Sequence, residues 1–289
     1  LVLHVWAFAI CASVLTTWQH HFIDIPTGAL LGLFCVWLWP LERTVSMPRA
    51  WRCTRDAQRW KLAGFYAVGA ALFLAVAVQL GGVALWLAWP SASLALVALN
   101  YVGFGARGFQ MDGQGRMGWA ARWLLAPYRL GAAVNAWLWT RKLPAFVEVV
   151  PGLLLGRQPT RAEWMAAGRP RLVSLCAELQ MPAGVPHARC VPMLDLTVPP
   201  TVRLQRAAAV IEGQRRNADG AAVWVCCALG FSRSAAAVIA WLGRYGAMGG
   251  LAQAEDAVRL ARPQIVLRPA WRMSLAPLGT AASGAPPHD

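Results

Sequence analysis

From Leu62 to Ala106 the chain runs for 45 residues without one Asp, Glu, Lys or Arg. A helix of a soluble protein keeps one face in water, and that face is normally polar. An uncharged run of this length points instead to a bilayer, which a helix of about 20 apolar residues can cross. The run is long enough for two spans, about 62–81 and 83–104. Gly81 and Gly82 mark a tight turn between them, and Pro90 is expected to kink the second. Two shorter apolar stretches, about 1–17 and 25–40, precede them. The expectation is a multi-span α-helical membrane region over residues 1–104.

The charges fall where such a region would put them. Charged residues make up 14% of the chain, against about 25% in ordinary soluble domains. No Lys or Arg occurs from Leu1 to Glu42; Arg43, Arg49, Arg52, Arg55, Arg59 and Lys61 then cluster in one segment. Arg107, Arg116, Arg122, Arg129, Arg141 and Lys142 follow the uncharged run. Cations that flank apolar spans follow the positive-inside rule. The basic loop 41–61 and everything from 105 onward are therefore expected in the cytoplasm. The protein is expected to be integral to a membrane, the inner membrane of a bacterium, with the lipid bilayer as a partner. The net charge of +14 is accounted for in this way, and no nucleic-acid partner is expected. The chain begins at Leu1, not Met, and is expected to be a piece of a longer one.

Residues 105–142 mix Trp and Leu with Arg at roughly helical spacing. They read as a linker lying in the bilayer interface, either one helix or a pair broken at Pro127. The run 130–139 is too short to favour a fifth span. From 143 the composition becomes that of a soluble domain. "FVEVVPGLLLGRQP" reads as two strands and a turn, "PRLVSLCAE" as a strand, and "ARCVPMLDLTVPP" as a strand entering a loop. An amphipathic helix over 201–220, ended at Asp219-Gly220, leads to the buried strand "AAVWVCC" and two further helices. Strands alternating with helices give an α/β domain over 143–275, a central sheet flanked by helices. Residues 276–289 read as a disordered tail.

The chain has seven cysteines. Cys53, Cys176, Cys190, Cys226 and Cys227 show no C-x-x-C spacing and have few histidines nearby, which argues against a zinc site or a disulfide framework. No metal and no cofactor are expected. In "VWVCCALGFSRSAA" five residues separate Cys227 from Arg233, and Ser234 follows directly. The stretch reads as the end of a buried strand, a Gly-containing loop and a helix start. There the amides of Ala228, Leu229, Gly230, Phe231, Ser232 and Arg233 converge, and the helix dipole adds positive potential. The nest suits a phosphate, whose oxygens Arg233 can fork, and it favours a thiolate at Cys227. Cys226 is one residue off this spacing, and strand alternation turns it to the other face.

This pattern resembles the signature of the dual-specificity branch of the Cys-based protein tyrosine phosphatases: His-Cys, five residues, Arg, then Ser or Thr. The resemblance extends over about 143–275 and includes "LLLGRQP" and "ARPQIVL". It implies Cys227 as nucleophile, Arg233 as the phosphate-binding arginine and Ser234 as the hydroxyl that helps the thiolate leave. Asp195, in "PMLDLTVPP" 32 residues before Cys227, matches the family's general acid. The activity implied is hydrolysis of a phosphate monoester, on a phosphoprotein or a phospholipid, through a cysteinyl-phosphate. The loop residues Ala228, Leu229, Gly230 and Phe231 carry no basic side chain, which argues against highly phosphorylated inositol lipids. Cys226 stands where the family has His. It is expected to be a small core residue; the alternative is that Cys226 or Cys190 traps oxidised Cys227 in a disulfide.

A second resemblance lies near the N-terminus. Ser13, His20 and Asp24 fall on the spacing of the third motif of the type-2 phosphatidic acid phosphatase superfamily, with Val14 where that motif has Arg. The match implies His20 as nucleophile and Asp24 as its partner. The family's other motifs are absent from this sequence and would lie ahead of it, so residues 1–104 resemble the C-terminal part of such a domain. The alternative function is then a lipid phosphatase or head-group transferase acting through His20, with the cytoplasmic domain a phosphate-binding regulatory module.

Overall fold

The computed structural model of the protein describes residues 2–16, 24–40, 46–218, 220–246, 248 and 250–279. The chain divides into two compact units, Leu1–Phe104 with Gly118–Tyr128, and Gly105–Met117 with Arg129–Asp289.

The first unit is helical: α1 (Val2–Thr16), α2 (Asp24–Leu38), the single turn α3 (Met47–Ala50), α4 (Ala57–Leu80), α5 (Ala88–Leu99) and α6 (Trp119–Leu124). Asp56 caps α4 by accepting a hydrogen bond from Gln58 N, which satisfies one of the orphan amides of the first turn. The helix ends where two glycines turn the chain, Gly81 at φ 60° and Gly82 at φ 51°. A 3₁₀ stretch, Gly82–Leu87, leads into α5, and a π turn over Asn100–Phe104 ends it. Pro90 lies in the first turn of α5, where the chain passes from the 3₁₀ stretch into the α-helix and Ala88 N is still bonded to Leu85 O and Trp86 O. The expected kink is therefore a change from 3₁₀ to α at a helix start.

Among the described residues, the helical runs Ala57–Leu80 and Gly82–Phe109 are long and apolar enough to cross a bilayer. The helices α1 and α2 have 15 residues each, roughly 22 Å at 1.5 Å per residue, short of a hydrocarbon core about 30 Å thick. Among the described residues, two of the four expected spans thus reach that length.

The second unit carries α7 (Ala126–Thr140, shared at its start with the first unit) and then β1 (Phe146–Val150), β2 (Leu153–Arg157), α8 (Arg161–Ala166), β3 (Arg171–Cys176), β4 (Arg189–Met193), α9 (Thr201–Arg216), β5 (Val223–Cys227), α10 (Arg233–Tyr245), α11 (Leu251–Ala261) and α12 (Pro269–Gly279). The five strands form one mixed sheet in the order β1-β2-β5-β3-β4. Only the β1–β2 hairpin is antiparallel; β2, β5, β3 and β4 run parallel. The central strand β5 is buried along its whole length, as expected for a parallel strand covered on both faces.

One face of the sheet presents Leu153, Leu155, Val173, Val223, Val225 and Cys227 to a core completed by α9, α10, α11 and α12. Helix α10 can lie close because the residues it buries include Ala235, Ala236, Ala237 and Ala240. The alternate residues Leu154, Trp224 and Cys226 belong to the other face, where the Phe146 ring meets Trp224 at 4.6 Å. Helix α12 was not expected. It buries Trp271, Leu275 and Leu278 in the same core, so the first residues of the expected tail are structural. Residues 280–289 lie outside the described residues.

The expected linker is split. Helices α6 and α7 are separated at Leu125, with Pro127 in the first turn of α7. Residues 105–117 belong with the sheet unit. There a turn at Asp112 pairs Met111 with Met117. Gly113 O accepts from Cys190 N at 2.8 Å, and Gly115 O accepts from Met181 N at 3.1 Å. This loop therefore covers part of β4, an edge strand whose backbone would otherwise be open to unwanted pairing.

Candidate active site

The carboxyl ends of the four parallel strands converge, the usual place for a site in an open α/β sheet. Strand β2 delivers Arg157 and Gln158, β5 delivers Cys227, and Glu178 and Asp195 lie just beyond β3 and β4. The loop from Cys227 to Arg233 sits among them. Its carbonyls are committed outward. Gln158 N donates to Cys227 O at 2.7 Å and Val266 N to Phe231 O at 2.9 Å, and Arg262 Nη2 donates to Leu229 O at 3.3 Å. Ser232 Oγ also ties the loop to Val266 O at 2.9 Å.

Gly230 makes the sharp turn, at φ 77°. A Cβ there would lie 2.5 Å from the Gly156 carbonyl carbon, so both its conformation and its close approach to β2 require glycine. Gly230 N donates to Cys227 Sγ at 3.2 Å. Ser234 Oγ is also 3.2 Å from that sulfur. Cys227 and Ser234 are buried, at 2% and 0% exposure. A sulfur held between an amide N–H and a hydroxyl at a helix start can be supported as an anion.

Arg233 opens α10 and is buried at 1% exposure. Its Nη1 donates to Glu178 Oε2 at 2.8 Å and to Met193 O at 3.0 Å. Its Nη2 donates to Glu178 Oε1 at 2.6 Å and lies 3.0 Å from Asp195 Oδ1. Burial alone would push the guanidinium pKa down, but Asp195 and Glu178 prevail and hold it well above the ordinary arginine range. The forked pair with Glu178 fixes the plane of the guanidinium. Asp195 is more exposed than Glu178 and sits on a loop in which the next residue, Leu196, has φ 55°.

Glu178, Gln158 and Arg262 were not picked out in the sequence. Glu178 could have been suspected, as an acid directly following an apolar strand on the site edge of the sheet. Gln158 Oε1 accepts from Ser174 Oγ at 3.1 Å and from Cys226 Sγ at 3.2 Å, while Gln158 Nε2 donates to Gln180 O at 3.1 Å. Cys226 thus occupies the sheet face opposite Cys227, as alternation predicted, and it is a hydrogen-bond donor as well as a small core residue. Burial pushes its thiol well above the ordinary cysteine range, and likewise raises Cys190, to about 12. Both are therefore kept as thiols.

His20 lies outside the described residues. Asp24 is the exposed first residue of α2, and its carbonyl accepts from Thr27 Oγ1 at 3.3 Å. Ser13 is exposed on α1 and donates to Ile10 O at 2.8 Å.

No protein-family model and no curated protein matches the chain. Solved structures do. A mouse putative dual specificity phosphatase, crystallised with zinc tungstate, is 27% identical over 48% of this chain and 89% of its own, with a TM-score of 0.42. Human DUSP28 is 29% identical over 49% of this chain and 97% of its own, also at 0.42. PTPMT1 in complex with PI(5)P is 19% identical over 48% of this chain and 97% of its own, at 0.40. The solved structures similar to this chain thus include dual-specificity phosphatases that match about half of its length.

Proposed function

We propose that the protein is a membrane-anchored phosphatase that hydrolyses phosphate monoesters through a cysteinyl-phosphate. The observation that carries this reading is the position of Cys227 Sγ, 3.2 Å from both Gly230 N and Ser234 Oγ at the start of a loop that ends in a buried arginine. The membrane anchor rests on the two apolar helical runs, Ala57–Leu80 and Gly82–Phe109, and on the cations that flank them.

In the first step the Cys227 thiolate attacks phosphorus opposite the ester oxygen. The P–O bond breaks as the S–P bond forms, and Asp195 gives its proton to the departing oxygen. In the second step water attacks phosphorus and loses a proton to Asp195. The S–P bond breaks, inorganic phosphate leaves, and Ser234 Oγ–H supports the returning thiolate. The loop amides and Arg233 hold the transition-state charge throughout.

The hydrogen-bond count on Arg233 adds a constraint. Glu178, Met193 O and Asp195 together occupy both terminal nitrogens. A phosphate that takes the guanidinium edge must displace Asp195 from Nη2, while Glu178 keeps its fork. The exchange takes the Asp195 carboxylate off the guanidinium, so that it can take up a proton from solvent or from the phosphate monoanion and then meet the leaving oxygen. Phosphoprotein and phospholipid monoesters both fit this chemistry.

The test uses the full chain in a mild detergent with an aryl phosphate and a metal chelator. Wild-type turnover is expected, with none for Cys227→Ser and a fall of about 10²–10⁴ for Asp195→Asn. Absence of wild-type turnover, or turnover that survives Cys227→Ser, would overturn the reading.

A further inference from the structure

The helical unit holds a polar cluster that the proposed chemistry does not use. Asn100 stands at the junction of α5 and the π turn and is fully buried, at 0% exposure. Neither its Nδ2 nor its Oδ1 has a hydrogen-bond partner. Beside it, Arg59 in the first turn of α4 brings Nη2 to 3.4 Å from Asn100 O. The Arg59 Nε is also buried without a partner. A buried polar group left unmet costs about 1–3 kcal/mol, and such groups are few in native proteins. Two adjacent residues with three unmet atoms call for a ligand that supplies both acceptors and a donor.

The surroundings fix this place. Thr54 N donates to Val102 O at 2.8 Å and Arg52 N to Gly103 O at 3.1 Å, so the chain before α4 grips the π turn. The Trp51 ring packs so tightly on Gly103 that a Cβ there would come within 2.3 Å of it. Tyr101 stacks on Tyr66 at 5.5 Å, and Tyr66 meets Tyr128 at 5.6 Å. π turns inside helical runs often mark functional sites. The charge is one-sided: Arg49, Arg52, Arg55, Arg59 and Lys61 against the single acid Asp56. Arg59 lies in the first turn of the apolar run Ala57–Leu80, the level at which lipid head groups sit, and it brings Asn100 of the run Gly82–Phe109 to the same level.

We propose that Arg59 and Asn100 form a binding site for the head group of an acidic phospholipid, one with a phosphate and a free hydroxyl. The phosphate oxygens accept from Arg59 Nε and Asn100 Nδ2, and the hydroxyl donates to Asn100 Oδ1. Basic pockets at helix ends on the cytoplasmic side suit such head groups. This site rests on the membrane reading of α4 and the run after it, and it is independent of Cys227.

The experiment uses the full chain. Alkaline carbonate washing of its native membranes comes first; release into the aqueous fraction would overturn the membrane reading and this site with it. If the chain stays in the membrane, it is purified in mild detergent and offered phosphatidylglycerol, phosphatidylcholine or soluble glycerol phosphate. Native mass spectrometry then reads what is retained. Wild type is expected to keep one phosphatidylglycerol, favoured about tenfold over phosphatidylcholine. Arg59→Gln and Asn100→Leu are each expected to lose that preference. Without lipid, Asn100→Leu is expected to melt at or above wild type, since it removes unmet polar atoms. Equal retention by both variants would overturn the site alone, and so would displacement of the lipid by glycerol phosphate at matched concentration.

Discussion

At the scale of single residues, Arg233 and Glu178 show how a buried charge is made useful. Desolvation on this scale is tolerated only when the partner geometry is good, and the forked pair at 2.6 and 2.8 Å provides it. Glu178→Ala leaves the guanidinium with Asp195 and one carbonyl. We expect a stability loss of about 3–5 kcal/mol in urea unfolding, together with weakened phosphate inhibition, because the fork no longer orients Arg233. Gly230 is constrained differently. Gly230→Ala must place a Cβ against the Gly156 backbone in a left-handed conformation. We expect it to cost about 1–3 kcal/mol and to abolish turnover, since the loop can relieve the clash only by moving its amides off the anion site. A variant with normal turnover would show that the loop is not held as described. The difference between these residues explains what was legible. Gly230, Cys227 and Arg233 belong to one short run with a fixed spacing. Glu178 is 55 residues from Arg233 and meets it only because β3 and β5 are neighbours in the sheet.

At the scale of elements, the strands were legible because each is a short apolar run bounded by turn residues. The helices α9, α10 and α11 were legible because one face of each is apolar. The short α8 carries a start signal of its own, Thr160 and Glu163 forming a reciprocal capping box. Helix α12 was hidden because Pro277 and the Gly-Ala-Ser run beyond it resemble a tail, whereas its register is set by Trp271, Leu275 and Leu278 packing on the core. Its attachment is also electrostatic. Glu255 on α11 accepts from Arg272 on α12 at 2.7 and 2.9 Å and from Arg259 at 2.9 Å. Hydrogen bonds from Arg272, followed by those from Arg259, lower the Glu255 carboxyl to about 2. An ordinary glutamate in the unfolded chain titrates near 4.3. The folded pKa is the depressed one, so the contribution is complete above the unfolded value and fades as pH falls toward about 2. The urea midpoint of Glu255→Gln should therefore lie below that of wild type at neutral pH and converge on it across this window. A difference that persists at the acid end would mean that packing, not charge, joins the two helices.

At the scale of the whole molecule, the least legible feature was where one unit ends and the other begins. Composition shifts at about residue 143, yet the sheet unit also claims Gly105–Met117, a stretch 26 residues or more upstream in sequence. Nothing in its local pattern announces this, because its bonds to Cys190 and Met181 are backbone bonds and leave no side-chain signature. What it does show is the turn that makes those bonds possible. Asp112 Oδ1 accepts from Gln114 N and Arg116 N at 2.9 and 2.8 Å, and Oδ2 from Arg116 Nε at 2.8 Å. Partial burial works against the Asp112 carboxylate, but these hydrogen bonds prevail and hold its pKa below the usual range. Asp112→Ala removes all three acceptor contacts while leaving the β4 sequence intact. In the full chain we expect it to destabilise the sheet unit by about 1–3 kcal/mol and to raise hydrogen exchange at the amides of Cys190 and Met181. Exchange at β5 should follow only through the global stability. If Asp112→Ala leaves exchange at Cys190 and Met181 unchanged, the turn is not what seats this segment on β4. If it speeds them without slowing turnover, the segment guards the sheet edge and has no part in shaping the phosphate loop.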